Sequence, residues 1–196
     1  MIRLAERCYH YTKVIMVAWK RPRDQWVKLN TDCSALFNPG RIGAGGIIRD
    51  HNGEMVLAFA TPLGEGTNNQ AEIGAAIFGQ TWAVQLGYIN VILEVDSQLL
   101  VYWIMLKAKP PWSVNTQVQQ LQVLIRHTHN FKCKHIFRES NFVADSLAKP
   151  SHRITSPQIY CNSQQLPKEA RAYYQLDMLE MASFRRRKIK KIKEPS

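Results

Sequence analysis

Apolar and polar positions alternate through residues 26–36 (WVKLNTDCSAL), with Val27, Leu29 and Thr31 on one side and Lys28, Asn30 and Asp32 on the other. That period of two is the signature of a strand. A turn, NPGRIG, leads into a second apolar run, GAGGIIRD, and HNG leads into a third, EMVLAFATPL. Three such runs joined by short turn signals predict an antiparallel meander. After the GEGT loop the period changes: Ala71, Ala75, Phe78, Trp82 and Leu86 recur at helical spacing from Asn68 to about residue 86, and Gly87 stops the helix.

Residues 90–97 (NVILEVDS) are apolar on both faces, as in a central strand covered by helices on each side. A helix over 97–106 follows, broken by Pro110 and Pro111, then a second over about 113–128. The strand FKCKHIFRE and a last helix, FVADSLAK, complete the run. The fold class expected is α/β: a mixed five-stranded sheet, three antiparallel strands followed by parallel strands, flanked by helices. A crossover helix joins parallel strands of one sheet, so the first and fourth strands become neighbours and their carboxyl ends come together.

Four acids change the picture. Asp32 and Asp96 each follow an apolar run, at the strand ends where open α/β sheets place their chemistry. Glu72 lies one turn into the first helix and Asp145 on the last, where both can face that edge. Carboxylates brought this close raise one another's pKa unless a cation neutralises them, and a cluster of hard oxygen donors suits Mg²⁺. The pattern therefore predicts a metal site.

The 196 residues, 45% hydrophobic and 21% charged, fit one globular domain with flanking sequence. No apolar run approaches the ~18 residues of a membrane span. The start of the chain carries Glu6 and no signal-peptide core, so an intracellular protein of the nucleus or cytoplasm, neither secreted nor membrane-bound, is expected. Cys8, Cys33, Cys133 and Cys161 form no CxxC pair and no zinc spacing, which reads as reduced thiols. The net charge of +11 lies in the flanks. Residues 1–24 hold six basic against two acidic residues, 25–150 ten against nine, and 151–196 ten against four. Three units follow: a linker-like segment over 1–24, a central domain over 25–150, and an extension over 151–196. In the extension, Leu176, Leu179 and Phe184 are spaced for one face of a short helix, and RRRKIKKIK (185–193) reads as a nucleic-acid contact or a solvated tail. The apolar VIMVAW before residue 24 reads as a linker packed on the sheet or as a targeting segment.

The segments WVKLNTDCSA, GAGGIIRDHNGE, TNNQAEIGAA, LEVDSQLL and FRESNFVADSLAK, in that order, resemble the type 1 ribonuclease H domain of plant retroelement-derived proteins. They cover residues 26–149. The resemblance implies an RNase H-like fold and a metal-dependent endonuclease, acting as a monomer, that hydrolyses the RNA strand of RNA:DNA hybrids. Asp32, Glu72, Asp96 and Asp145 would be the catalytic acids, holding two Mg²⁺ ions with Mn²⁺ as a substitute. Asn68, Asn69 and Gln98 match the family's minor-groove contacts, which distinguish RNA by its 2′-hydroxyls. Cys33 and Ser34 are further substrate-contact positions. Lys107, Lys109 and Trp112 sit where longer relatives carry a basic handle.

Two departures from the family pattern weigh on activity. Cys33 stands where a glycine or another small residue is usual, and the histidine of the loop before the last helix is missing; His135 reads as a strand residue, and Arg138 reads first as an ordinary surface arginine and second as a partial substitute that pairs with a phosphate. The competing expectation is a catalytically decayed RNase H-like module, from a domesticated retroelement, that binds nucleic acid without cutting it.

Overall fold

Residues 8–192 are described by the computed structural model of the chain. Strand β1 (Cys8–Val17) precedes the meander, whose strands are β2 (Val27–Phe37), β3 (Gly40–Arg49) and β4 (Met55–Gly66). Helix α1 (Asn68–Gln85) leads to β5 (Asn90–Val95), and α2 (Gln98–Ile104) and α3 (Trp112–Ile125) lead to β6 (Asn130–His135). Helix α4 (Phe142–Ser151), the short strand β7 (Gln158–Tyr160), helix α5 (Lys168–Met178) and strand β8 (Ser183–Ile192) follow.

The sheet runs β6-β5-β2-β3-β4-β7. Strands β2, β5 and β6 are parallel neighbours, and β2, β3, β4 and β7 pair antiparallel. This is the expected mixed sheet with a sixth strand at its edge, too short for a period of two to register. Neighbouring residues on a strand point to opposite faces, and Ile47 and Ile48 duly enter two separate cores. Ile48 joins Leu29, Phe59, Ile73, Leu93, Trp103 and Leu121 under α1 to α3. Ile47 joins Val143, Leu147, Leu166 and Tyr174 under α4 and α5. Each fully buried side chain of this size contributes about 1.5–3 kcal/mol.

Helix α1 starts at Asn68 as expected and is capped by Thr67: its side chain accepts from the Gln70 backbone, and the Gln70 side chain returns to Thr67, a reciprocal capping box. The buried face of α1 also differs from the expected stripe. Ala71 and Ala75 are buried, but Phe78 and Trp82 are only half-buried and Leu86 is exposed, while Ile73, Ala76, Gly79 and Ala83 take the sheet side. Small residues win there because the helix lies close on β2, where a Cβ on Gly79 would stand 2.6 Å from Leu29 Cδ1.

The flanks depart furthest from expectation. Residues 8–17, read as a linker or targeting segment, form β1, which pairs antiparallel along its whole length with β8 from Cys8↔Ile192 to Val17↔Ser183. The basic run is therefore a strand through Ile192; Lys193, like Glu6, lies outside the described residues. The face expected of the extension helix does not form. Leu176, Leu179 and Phe184 are exposed, α5 buries Ala170 and Tyr174 instead, and Glu180 at φ +52° turns the chain into β8.

At the base of this two-stranded ribbon lies a buried polar network. Trp19, just past β1, donates from Nε1 to Asn30 Oδ1 at 3.0 Å. Arg49, buried, donates to the same oxygen at 2.8 Å and to Asp177 of α5 at 2.7 Å, with its guanidinium 3.5 Å above the Trp19 ring. Lys28 pairs with Glu94 at 2.9 Å, both buried. The polar side of β2 thus faces protein rather than solvent.

Candidate functional site

The parallel register of β2 on β5 pairs Leu29 with Leu93 and Asn30 with Glu94. Continued by two residues, it sets Asp32 beside Asp96; Asp96 follows the last residue of β5, whereas Asp32 lies midway along β2, which runs on to Phe37 against β3 and does not end at the acid as the sequence suggested. Glu72 reaches this edge from the second turn of α1, and Asp145 from the first turn of α4. Helix α4 is held close: Asn141, just before it, donates to the Thr31 carbonyl at 3.0 Å. Its backbone also lies so near β3 that a Cβ on Gly45 would stand 2.2 Å from Ala148 N.

Asp32 is buried, with one carboxylate oxygen, Oδ1, accepting from the Cys33 N–H at 2.7 Å. The other, Oδ2, is buried without a partner, as is Glu72 Oε2. Ligand atoms of Asp32, Cys33 and Glu72 all lie within 4.8 Å of one another. Burial, then the charges of Asp96 and Glu72, push the Asp32 carboxyl up to about 8. Burial and Asp96 push Glu72 up to about 7, and burial raises Asp96 above the ordinary carboxylate range. Carboxyls resisting ionisation around orphaned oxygens are what a hard divalent cation would relieve, so these residues fit Mg²⁺.

Asp145 stands differently. It faces Asp32 and Asp96 closely enough to raise both, but its own oxygens are engaged. Arg138 grips Oδ1 with Nε (3.1 Å) and Nη2, and Lys149 reaches Oδ2 at 2.7 Å. Arg138, from the single 3-10 turn Arg138–Ser140 that replaces the expected end of the last parallel strand, and Lys149 are both exposed.

Of the other predicted positions, Asn68 and Asn69 are exposed at the start of α1, and the Asn68 carbonyl lies 3.9 Å from Cys33 Sγ. Gln98 is exposed at the start of α2, behind the Ser97 cap. Cys33 sits inside the acid cluster, its thiol pushed far up by burial and by Glu72 and Asp32. Ser34 turns to the end of α4, with Oγ 3.1 Å from His152 Nδ1 and 3.3 Å from Ser151 Oγ. The sequence reading missed His152, since nothing in its neighbours signals a contact with a residue 118 positions away. His135 lies on β6 with its ring edge-on to Phe137 at 5.9 Å. Lys107, Lys109 and Trp112 are all exposed, Trp112 at 92%.

The family model described as reverse transcriptase-like matches residues 30–151, well over half of the chain. A candidate ribonuclease H protein of Arabidopsis thaliana is 33% identical over 140 residues, covering 68% of this chain and 22% of its own length. Ribonuclease HI of Halobacterium salinarum is 28% identical over 122 residues, 60% of this chain and 59% of the relative. The chain thus spans about a fifth and about three fifths of these two relatives. The crystal structure of RNase H1 from Halobacterium salinarum superposes with a TM-score of 0.63 at 25% identity, over 64% of this chain and 96% of that one. The LC11-RNase H1 structure in complex with an RNA/DNA hybrid gives 0.57 at 29%, over 62% and 92%. With the mixed sheet, the flanking helices and the acids midway along β2 and just past β5 in place, the chain belongs to the reverse transcriptase-like family and has the fold of the type 1 ribonuclease H domain.

Proposed function

We propose that this chain is a metal-dependent endonuclease that hydrolyses the RNA strand of RNA:DNA hybrids, with Asp32, Glu72, Asp96 and Asp145 as its metal-holding acids. The observation that carries the reading is the pair of buried, unpartnered oxygens, Asp32 Oδ2 and Glu72 Oε2, among carboxyls whose pKa values are raised. Two Mg²⁺ ions bound there, or Mn²⁺ in their place, would lower the pKa of an attacking water and offset charge on the departing 3′ oxygen.

The chain's own residues supply the rest. Asp32 is fixed in orientation by the Cys33 N–H. Asn68, Asn69 and Gln98, exposed on two helix starts beside Glu72 and Asp96, are placed for 2′-hydroxyls and base edges in a minor groove. Arg138 and Lys149 hold Asp145 until substrate arrives, and a phosphate beside that carboxylate would draw Arg138 away. One copy carries all four acids, so the reading needs no second subunit. It places the protein inside the cell, in the nucleus or cytoplasm, where thiols such as Cys33 stay reduced.

A specific observation favours a second reading, a module that binds hybrids without cutting them. Asp145 is already neutralised by two cations, and the Cys33 side chain occupies the cluster. Incubation of the full chain with a hybrid labelled on its RNA strand, in Mg²⁺ and beside Asp96→Asn, separates the two. Internal cuts in the RNA that vanish in Asp96→Asn support the nuclease. Hybrid bound but uncut by both proteins supports the module.

A further inference from the structure

We infer that the β1/β8 ribbon is a second nucleic-acid surface, which grips the phosphate backbone of the hybrid outside the stretch lying over the acids. The inference rests on the hybrid being the ligand and deepens that reading.

The ribbon's twenty residues contain no Asp or Glu and seven Lys or Arg. Paired residues of an antiparallel ladder share a face. Thr12 with Lys188 and Val14 with Arg186 lie on one face, and all four are exposed. The other face sets Lys13 directly opposite Arg187, like charges that repel at this spacing and gain from an anion laid across them. Of the five ribbon cations whose side chains are described, Lys13, Arg185, Arg186, Arg187 and Lys188, Arg185 alone pairs with a carboxylate. A two-stranded ribbon is also a shape that a nucleic-acid groove admits.

Position selects nucleic acid over other polyanions. Arg185, near the root of the ribbon, pairs with Glu139 at 3.1 Å and lies 4.5 Å over the Phe137 ring. Glu139 is next in the chain to Arg138, which holds Asp145. The cationic strand therefore begins at the edge of the acid cluster and continues for ten residues, about 30 Å. Both roots are tied to the core through one network, β1 through Trp19 and β8 through α5, whose Asp177 meets Arg49. The ribbon's direction is thereby fixed relative to the site.

Fluorescence anisotropy of a labelled hybrid of ~20 base pairs against the full chain in KCl from about 50 to 300 mM tests this through the salt slope of phosphate binding. Asp96→Asn is present in every protein used, so that no substrate is consumed. Replacing Arg186, Arg187 and Lys188 together by Gln is expected to lower the slope of log Kd on log salt by about 2 to 3 and to weaken binding at least ~10-fold at ~0.1 M salt. A variant with Arg186→Lys and Arg187→Lys keeps the charge and is expected to keep the slope, which separates lost charge from lost folding. An unchanged slope in the Gln variant overturns the inference, as does absence of hybrid binding by the parent or tighter binding to anionic phospholipid vesicles than to the hybrid. The nuclease reading fails separately: with Asp96 restored, hybrid that binds with the full slope but is not cut counts against cleavage and leaves the ribbon standing.

Discussion

Replacing Asp32 by Asn is expected to stabilise the metal-free protein and to abolish cleavage, because the site holds a carboxyl where folding disfavours its charge. Burial first, then the charges of Asp96 and Glu72, raise the Asp32 pKa from 3.8 to about 8. A raised folded-state pKa means that the folded chain retains a proton the unfolded chain has released, so this group's stability is fully present below about pH 4 and is lost as pH rises toward 8. Each pH unit in that window costs about 1.4 kcal/mol. The whole span gives an upper bound of roughly 6 kcal/mol, and relaxation of the cleft reduces it to about 3 kcal/mol. Asparagine removes the titration and keeps an oxygen for the Cys33 N–H. Urea unfolding followed by the fluorescence of buried Trp19, Trp26 and Trp103, in EDTA, is the assay. With a slope of about 2 kcal/mol per molar urea, the variant's midpoint should exceed the parent's by ~1.5 M at pH 8.5 and by under ~0.5 M at pH 5. Added Mg²⁺ should close the gap from the parent's side. A gap of equal size at both pH values would refute the reasoning, since a merely better-packed side chain carries no pH dependence.

Three further outcomes follow from the packing around the site. Asp177→Ala leaves the buried Arg49 guanidinium without its carboxylate and should cost about 3–5 kcal/mol in the same urea experiment. Gly45→Ala forces β3 away from α4, since the new Cβ would meet Ala148 N at 2.2 Å. The melting midpoint should fall by about 3–10 °C in calorimetry, with cleavage lowered because α4 carries Asp145. Cys33→Gly empties the position beside Asp32 and Glu72; hybrid cleavage should rise severalfold in single-turnover kinetics, at a stability cost of about 1 kcal/mol or less.

The meander, α1, the central strand and the convergence of β2 with β5 were legible because each depends on short-range periodicity and on one crossover rule. Asp32 and Asp96 could be placed at one edge for the same reason. The pairing of β1 with β8 could not, since it joins opposite ends of the described chain and neither strand has a clean alternation. Lys28, Asn30 and Asp32 could be assigned to one side of β2 by their alternation, but what covers that side could not. The residues that make burial tolerable, Glu94, Arg49, Trp19 and Asp177, come from four separate segments, and no local pattern reveals that they meet. The clamp of Arg138 and Lys149 on Asp145 was half visible: the spacing of 145 and 149 is an ordinary helical ion pair, whereas Arg138 reaches across from the 3-10 turn.

The register of the ribbon decides how the molecule responds to tension. Cys8 and Ile192 are partners at its tip and Val17 and Ser183 at its base, so opposing pulls on the two ends act across the ladder rather than along it. Rungs then break singly, as a zipper opens, instead of all together. A motor enzyme drawing on either end would strip this ribbon at low force and would feel strong resistance only on reaching Trp19 and the Arg49–Asp177 pair.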